Sequence, residues 1–227
     1  MNCNVSQTNT AWVRKFILTA FALLAVFVMV DQAMAQSIPS PVTPTQITPE
    51  AGNVAFLVGH AKGTQGYVCL PTKADPNVFS FTVNNARPEA TLFTTFFGHD
   101  FQIITHFLSP DTHPNGNAPN PVPFGNATWQ ASFDSSRVWA QTINTPLTAG
   151  TDPSCPNANS IACLLLQSVG NDVGPTGGGL LAKTTFVQRL NTKGGLAPST
   201  GCASATDVGK QALVPYTADY YFFHKAD

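Results

Sequence analysis

The chain has 227 residues and a formal net charge of -1, from Lys+Arg 11 and Asp+Glu 12. Charged residues are 10% of the chain against about 25% in ordinary soluble domains, while hydrophobic residues, at 43%, are near the usual share. This balance excludes a charged disordered tail or a charge-laced coiled coil. It also argues against nucleic acid as a partner, since there is no basic excess to release counterions from phosphates.

In chain order, residues 1–35 read as an export signal. A polar stretch ends in Arg14-Lys15, the apolar run Phe16–Val30 carries no charge, and Ala33-Met34-Ala35 presents the small residues that signal peptidase reads. Fifteen residues at about 1.5 Å each reach about 22 Å, short of a hydrocarbon core of roughly 30 Å. The segment is therefore expected to be cleaved before Gln36, leaving 192 residues that are secreted or periplasmic and carry no membrane span.

Residues 36–49 hold Pro39, Pro41, Pro44 and Pro49, a spacing that favours extended backbone and reads as a linker or a strap laid over the domain. Residues 50–227 then form one globular domain. Period-two alternation recurs at Val54/Phe56/Val58, Phe79/Phe81/Val83, Trp129/Ala131/Phe133 and Phe186/Gln188/Leu190. Tyr220–Phe223 loads both faces of a last strand. Ile161–Val169 is the best helical candidate, yet its continuous apolar character equally suits a buried strand. The expected fold is all-β, a single-domain β-sandwich or closed β-barrel. Long Pro/Gly/Asn-rich loops interrupt it at Ser109–Asn126, Asn144–Asn159 and Gly170–Gly179.

With Cys3 lost in the signal, Cys69, Cys155, Cys163 and Cys202 remain. An even number in an oxidising compartment points to two disulfides, for which three connectivities exist. The short Cys155–Cys163 loop closes easily, which leaves Cys69 with Cys202. There is no C-x-x-C and no Cys near a His, so the thiols are structural and not a metal or redox site.

Chemistry is harder to find. His99, His106 and His113 recur every seven residues, with His60, Asp100 and Asp111 near, but H-x-H is absent; no metal site and no cofactor are assigned. Gly177–Thr184 imitates a phosphate loop, except that Ala182 stands where a glycine is needed and no helix follows, so it reads as coincidence. Glu50 and Glu89 are the only glutamates, G-x-S-x-G is absent, and Asp134, Asp207 and Asp219 are scattered. Catalytic residues are therefore unknown. Tyr67, Trp129, Trp139, Tyr216, Tyr220 and Tyr221 have the chemistry to stack on sugar rings, although a core role is favoured for most of them. Arg189 lies within a strand of a charge-poor chain and needs a partner, for which Asp219 is expected.

Several segments carry a family likeness. Phe186-Val-Gln-Arg-Leu-Asn-Thr-Lys-Gly-Gly-Leu-Ala-Pro198, Gly201-Cys202 and Val214–Phe223 form an ordered set. Gln65-Gly-Tyr-Val-Cys69, Pro88–Leu92, His106-Phe107, Thr128-Trp129 and Ser136–Val138 precede it. Together they resemble the secreted family catalogued as domain of unknown function 3455, over about Gly52 to Phe223. The resemblance implies an exported protein of bacteria or fungi and brings no catalytic residue. The sequence departs from the pattern in its expanded Ser109–Asn126 loop and in Ile161-Ala162-Cys163. The latter places a new cysteine beside Cys155 and supports pairing those two.

The function expected is that of a binding or surface-interaction module, with carbohydrate or a cell-surface ligand as partner and no enzymatic activity. Its candidate ligand-binding residues are His106, Trp129, Tyr67, Arg189 and Asp219. The rival is an exported enzyme acting on carbohydrate or using a metal near His106. It requires a cleft in which His106, Trp129 and a carboxylate converge with a perturbed proton affinity. An envelope structural protein would show a broad flat apolar patch instead.

Overall fold

A computed structural model describes residues 38–83, 89–109 and 125–226. The expected export signal, Pro88, Asp111, His113 and most of the Ser109–Asn126 loop lie outside the described residues. Nine strands follow one another: β1 (Asn53–Pro71), β2 (Phe79–Thr82), β3 (Glu89–Phe96), β4 (His99–Ser109), β5 (Asn126–Ala131), β6 (Arg137–Thr142), β7 (Leu164–Asp172), β8 (Phe186–Gly194) and β9 (Gln211–Lys225). The only helical elements among the described residues are short 3-10 turns at Thr45–Ile47 and Ala205–Asp207, and none is long and apolar enough to cross a membrane. Of the ambiguous Ile161–Val169 stretch, Leu164–Val169 is strand, within β7.

The sheet order is β2-β1-β3-β4-β5-β6-β7-β8-β9, all antiparallel, and β1 also pairs with β9. Since β2 pairs only with the last residues of β1, the other eight strands form a ring. Of the two all-β architectures open to the sequence, the closed barrel is the one formed. The closing seam runs from Asn53↔Lys225 to Val68↔Gln211, so the two longest strands meet along most of their length. Closure removes the exposed edges that an open sheet would have to protect.

Alternate residues fill the lumen. Ala61, Leu92, Ile104, Trp129, Val138, Ala140, Leu166, Val187, Tyr220 and Phe222 form one buried cluster. Small and large residues are matched across strands: a Cβ on Gly59 would stand 2.9 Å from the Leu92 side chain. A second cluster lies on the outer face of β7, β8 and β9, where Leu165, Phe186, Leu190 and Phe223 pack with Ile47, Leu147 and both Cys155 and Cys163. Residues 38–49 cover that face. Ile38 N–H donates to the Ala55 carbonyl at 3.0 Å, and the fully buried Gln188 amide donates to the Ile47 carbonyl at 2.5 Å. The double load of Tyr220–Phe223 is thus explained: Tyr220 and Phe222 face the lumen and Phe223 faces the outer cover.

Both disulfides join the expected partners, Cys69 with Cys202 and Cys155 with Cys163, with Cα separations of 5.5 and 6.0 Å. One end of the barrel is stoppered. The Asp134 carboxylate accepts hydrogen bonds from Ser136 N–H at 2.9 Å, the Ser136 hydroxyl at 2.7 Å and Leu180 N–H at 2.8 Å. That anchors the β7–β8 connection and drives Leu181, fully buried, into the lumen cluster. The run that imitates a phosphate loop is therefore a plug. Gly178 within it allows close approach to Asp134, since a Cβ there would fall 2.4 Å from the Asp134 Cβ. At Gly174, just before the run, a Cβ would fall 1.4 Å from the Asp134 carbonyl oxygen.

Candidate functional site

The other end of the barrel is where β1, β4, β6 and β8 finish and where the longest connections begin. Strand alternation carries Gln65 from β1, Leu108 from β4, Ala127 and Trp129 from β5, Thr142 from β6, Leu164 and Leu166 from β7, Arg189 from β8 and Tyr220 from β9 to one cavity of about 210 Å³. Its wall is mostly apolar, with Gln65, Thr142, Arg189 and the tyrosine hydroxyl as polar groups. None of the described residues lining it is Asp or Glu.

His106 and Trp129 stack in parallel, their ring centroids 4.3 Å apart and their planes 7° apart, and Tyr220 packs against both at 5.4 and 5.6 Å. The two rings face each other because His106 and Trp129 are directly opposed across β4 and β5. The His106 Nδ1 lies 2.9 Å from the Thr128 carbonyl. A carbonyl only accepts, so Nδ1 carries the proton and Nε2 keeps a lone pair. Burial pulls the His106 pKa down to about 4; the Thr128 contact opposes the shift and the Arg189 charge adds to it. The imidazole is neutral at physiological pH.

Further toward the mouth, the Tyr67 hydroxyl donates to the Gly195 carbonyl. The Tyr216 and Tyr220 hydroxyls meet at 3.0 Å. Burial raises the pKa of both Tyr67 and Tyr216, and the Arg189 charge moderates each. Arg189 itself is half-buried, and its Nε and Nη2 donate to the single Ala162 carbonyl at 3.2 and 2.8 Å.

Four of the five candidate residues thus gather on the lumen side. Asp219 does not. Arg189 pairs across the ladder with Tyr220, whereas Leu190 pairs with Asp219, so Arg189 and Asp219 point to opposite faces of the sheet. The expected Arg189–Asp219 ion pair is absent: Asp219 instead bonds His60 Nδ1 at 2.6 Å and the Asn191 amide at 2.8 Å. His99, at the exposed start of β4, and His106 are seven residues apart, about 23 Å along a strand. Among the described residues, no three His, Cys, Asp or Glu side chains gather at one point. Among the described residues, the cavity that Trp129 lines holds neither His106 nor a carboxylate. His106 lines a separate groove together with Lys62, Glu89 and Thr105, so the His106, Trp129 and carboxylate that the enzyme reading requires do not converge in one cleft.

A model of the family described as "Protein of unknown function (DUF3455)" matches residues 49–224. The chain belongs to that family. The DUF3455 match runs from the end of the strap through β9, so barrel, plug and cavity all lie within it. No curated protein and no solved structure matches the chain. In this DUF3455 chain the segments quoted for the likeness supply Gln65, Tyr67, His106, Trp129, Arg189 and Tyr220 to the lumen.

Sequence reasoning missed Gln65, Thr142, Leu164 and Leu166 as lining residues. The parity signal was present for Gln65, which shares its face of β1 with Ala61 and Gly63, but parity alone does not say which face closes on a lumen. The aromatic rings considered for sugar stacking are core. Tyr67, Trp129, Trp139, Tyr216 and Tyr220 are all buried, and Tyr221 packs at the edge of the outer cluster.

Proposed function

We propose that the protein is an exported, small-ligand-binding barrel that works in the periplasm or outside the cell. The observation that carries this reading is the cavity of about 210 Å³ at the mouth of a barrel whose opposite end is stoppered by Leu181. Eight-stranded barrels have an interior that side chains fill or that holds one small ligand; here Ala127 and Thr142 leave space beside Trp129. An apolar cavity of about 150 Å³ accommodates benzene, so this one suits a compact ligand. The burial of the aromatic rings favours such a ligand over an extended glycan laid on the surface. Export is supported by the signal-like residues 1–35 and by two disulfides, which persist in oxidising compartments.

The test is calorimetric titration of the oxidised protein with benzyl alcohol, a ring of suitable size. Saturable one-to-one binding that is lost in Ala127→Phe, which fills the cavity, supports the reading. Where Ala127→Phe does not fold, Ala127→Leu fills it in part and is expected to weaken binding. Binding that survives the filling, or no binding by the wild type, contradicts it.

A further inference from the structure

Among the described residues lining the cavity, Arg189 is the only cation and none is an acid. Two of its nitrogens are spent on Ala162, which leaves Nη1 without a partner among the described residues. Two more donors, on lining residues, stand unused. The buried Trp129 indole N–H has no hydrogen-bond partner, and the Gln65 side-chain amide makes no hydrogen bond among the described residues. His106 contributes no charge, since burial keeps its ring neutral, and its one N–H is committed to Thr128. Among its described residues the cavity therefore combines an apolar wall of Leu108, Ala127, Leu164 and Leu166 with an excess of donors and one positive charge not met by an acid.

A guanidinium with no acid beside it in a low-dielectric wall favours an anionic guest, because an unpaired charge there is costly and a charge-assisted hydrogen bond is strong. One guanidinium balances one negative charge; a phosphate dianion would bring a second charge with nothing to meet it. The volume exceeds that of a benzene-sized cavity by room for a small head group. We propose that the lumen is an acid-binding site: it takes a compact monocarboxylate with an aromatic or short apolar body, the carboxylate on Arg189 and the body against Leu164, Leu166 and the Trp129 ring. This rests on the reading of the barrel as a small-ligand binder.

Benzoate and benzyl alcohol share a ring and differ in the head group, so calorimetric titration of the oxidised protein with each separates the two claims. Benzoate is expected to bind at least about tenfold more tightly than benzyl alcohol, and Arg189→Gln to remove about that factor for benzoate while leaving benzyl alcohol nearly unchanged. Benzyl alcohol binding as well as or better than benzoate overturns the acid-binding site and leaves the small-ligand barrel standing. Unaltered benzoate affinity in Arg189→Gln likewise overturns it. Octanoate outgrows the cavity, and tighter binding of octanoate than of benzoate overturns the compact body. If neither aromatic probe binds, both readings fall. Should Arg189→Gln fail to fold, the wild-type comparison of the two probes decides alone.

Discussion

At the scale of single residues, His106 shows what burial costs. Its folded-state pKa of about 4 lies below the ordinary 6.5, so the fold prefers the neutral ring. The unfolded chain then takes up a proton on this residue at a higher pH than the native state does. Stability from this group is present in full above pH 6.5 and is lost as the pH falls toward 4, by about 1.4 kcal/mol per pH unit. Urea unfolding of wild type and His106→Gln across that window measures it. The variant is expected to have the shallower acid slope, and parallel slopes would count against a buried neutral imidazole. Phe97 offers a second test. It holds φ 49 beside Gly98 at φ 75 in the two-residue turn between β3 and β4, where Asn-Gly is the usual pair. Its ring is 87% exposed, so little packing offsets the left-handed backbone. Phe97→Asn is expected to raise stability by about 1 kcal/mol, read as a higher denaturation midpoint.

At the scale of elements, the glycines of the plug differ in kind. Gly174 sits where a Cβ would collide with the Asp134 backbone at 1.4 Å, while Gly177 has φ 80 and open space. Gly174→Ala is expected to unseat the plug and cost about 3 kcal/mol, whereas Gly177→Ala costs about 1 kcal/mol of backbone strain, compared by thermal or urea unfolding. The two disulfides should also separate. Loop closure over 133 residues for Cys69–Cys202 predicts about 5 kcal/mol, and over 8 for Cys155–Cys163 about half that. Paired Cys→Ser variants measured under the same conditions check the order. Much of this level was legible in advance. Alternation located β1, β2, β5, β8 and β9, and cysteine spacing gave the crosslinks. Strands β3, β4 and β6 drew less notice, since Thr-rich and polar positions blur their period. Arg189–Asp219 failed for a specific reason: the choice between neighbours on one face and on opposite faces depends on a cross-strand register that no single strand encodes.

For the molecule as a whole, the sequence could not separate sandwich from barrel, because both demand the same period-two strands. What decides is the pairing of β1 with β9, set by chain ends that are far apart in sequence. The lumen residues inherit the same difficulty: His106, Trp129, Tyr67 and Arg189 were conspicuous as polar or aromatic residues in strands, but only closure turns them toward one space. Among the described residues, closure and the Leu181 plug leave one end of the lumen open. That asymmetry is why the molecule reads as a receptacle. The most direct measurement follows the two indole N–H signals of the signal-free oxidised protein by NMR during a benzyl alcohol titration. Trp129 lines the cavity and Trp139 does not. A saturable shift of the Trp129 signal with Trp139 unmoved is the result this account predicts. A stationary Trp129 signal, or equal non-saturating drift of both, would contradict it.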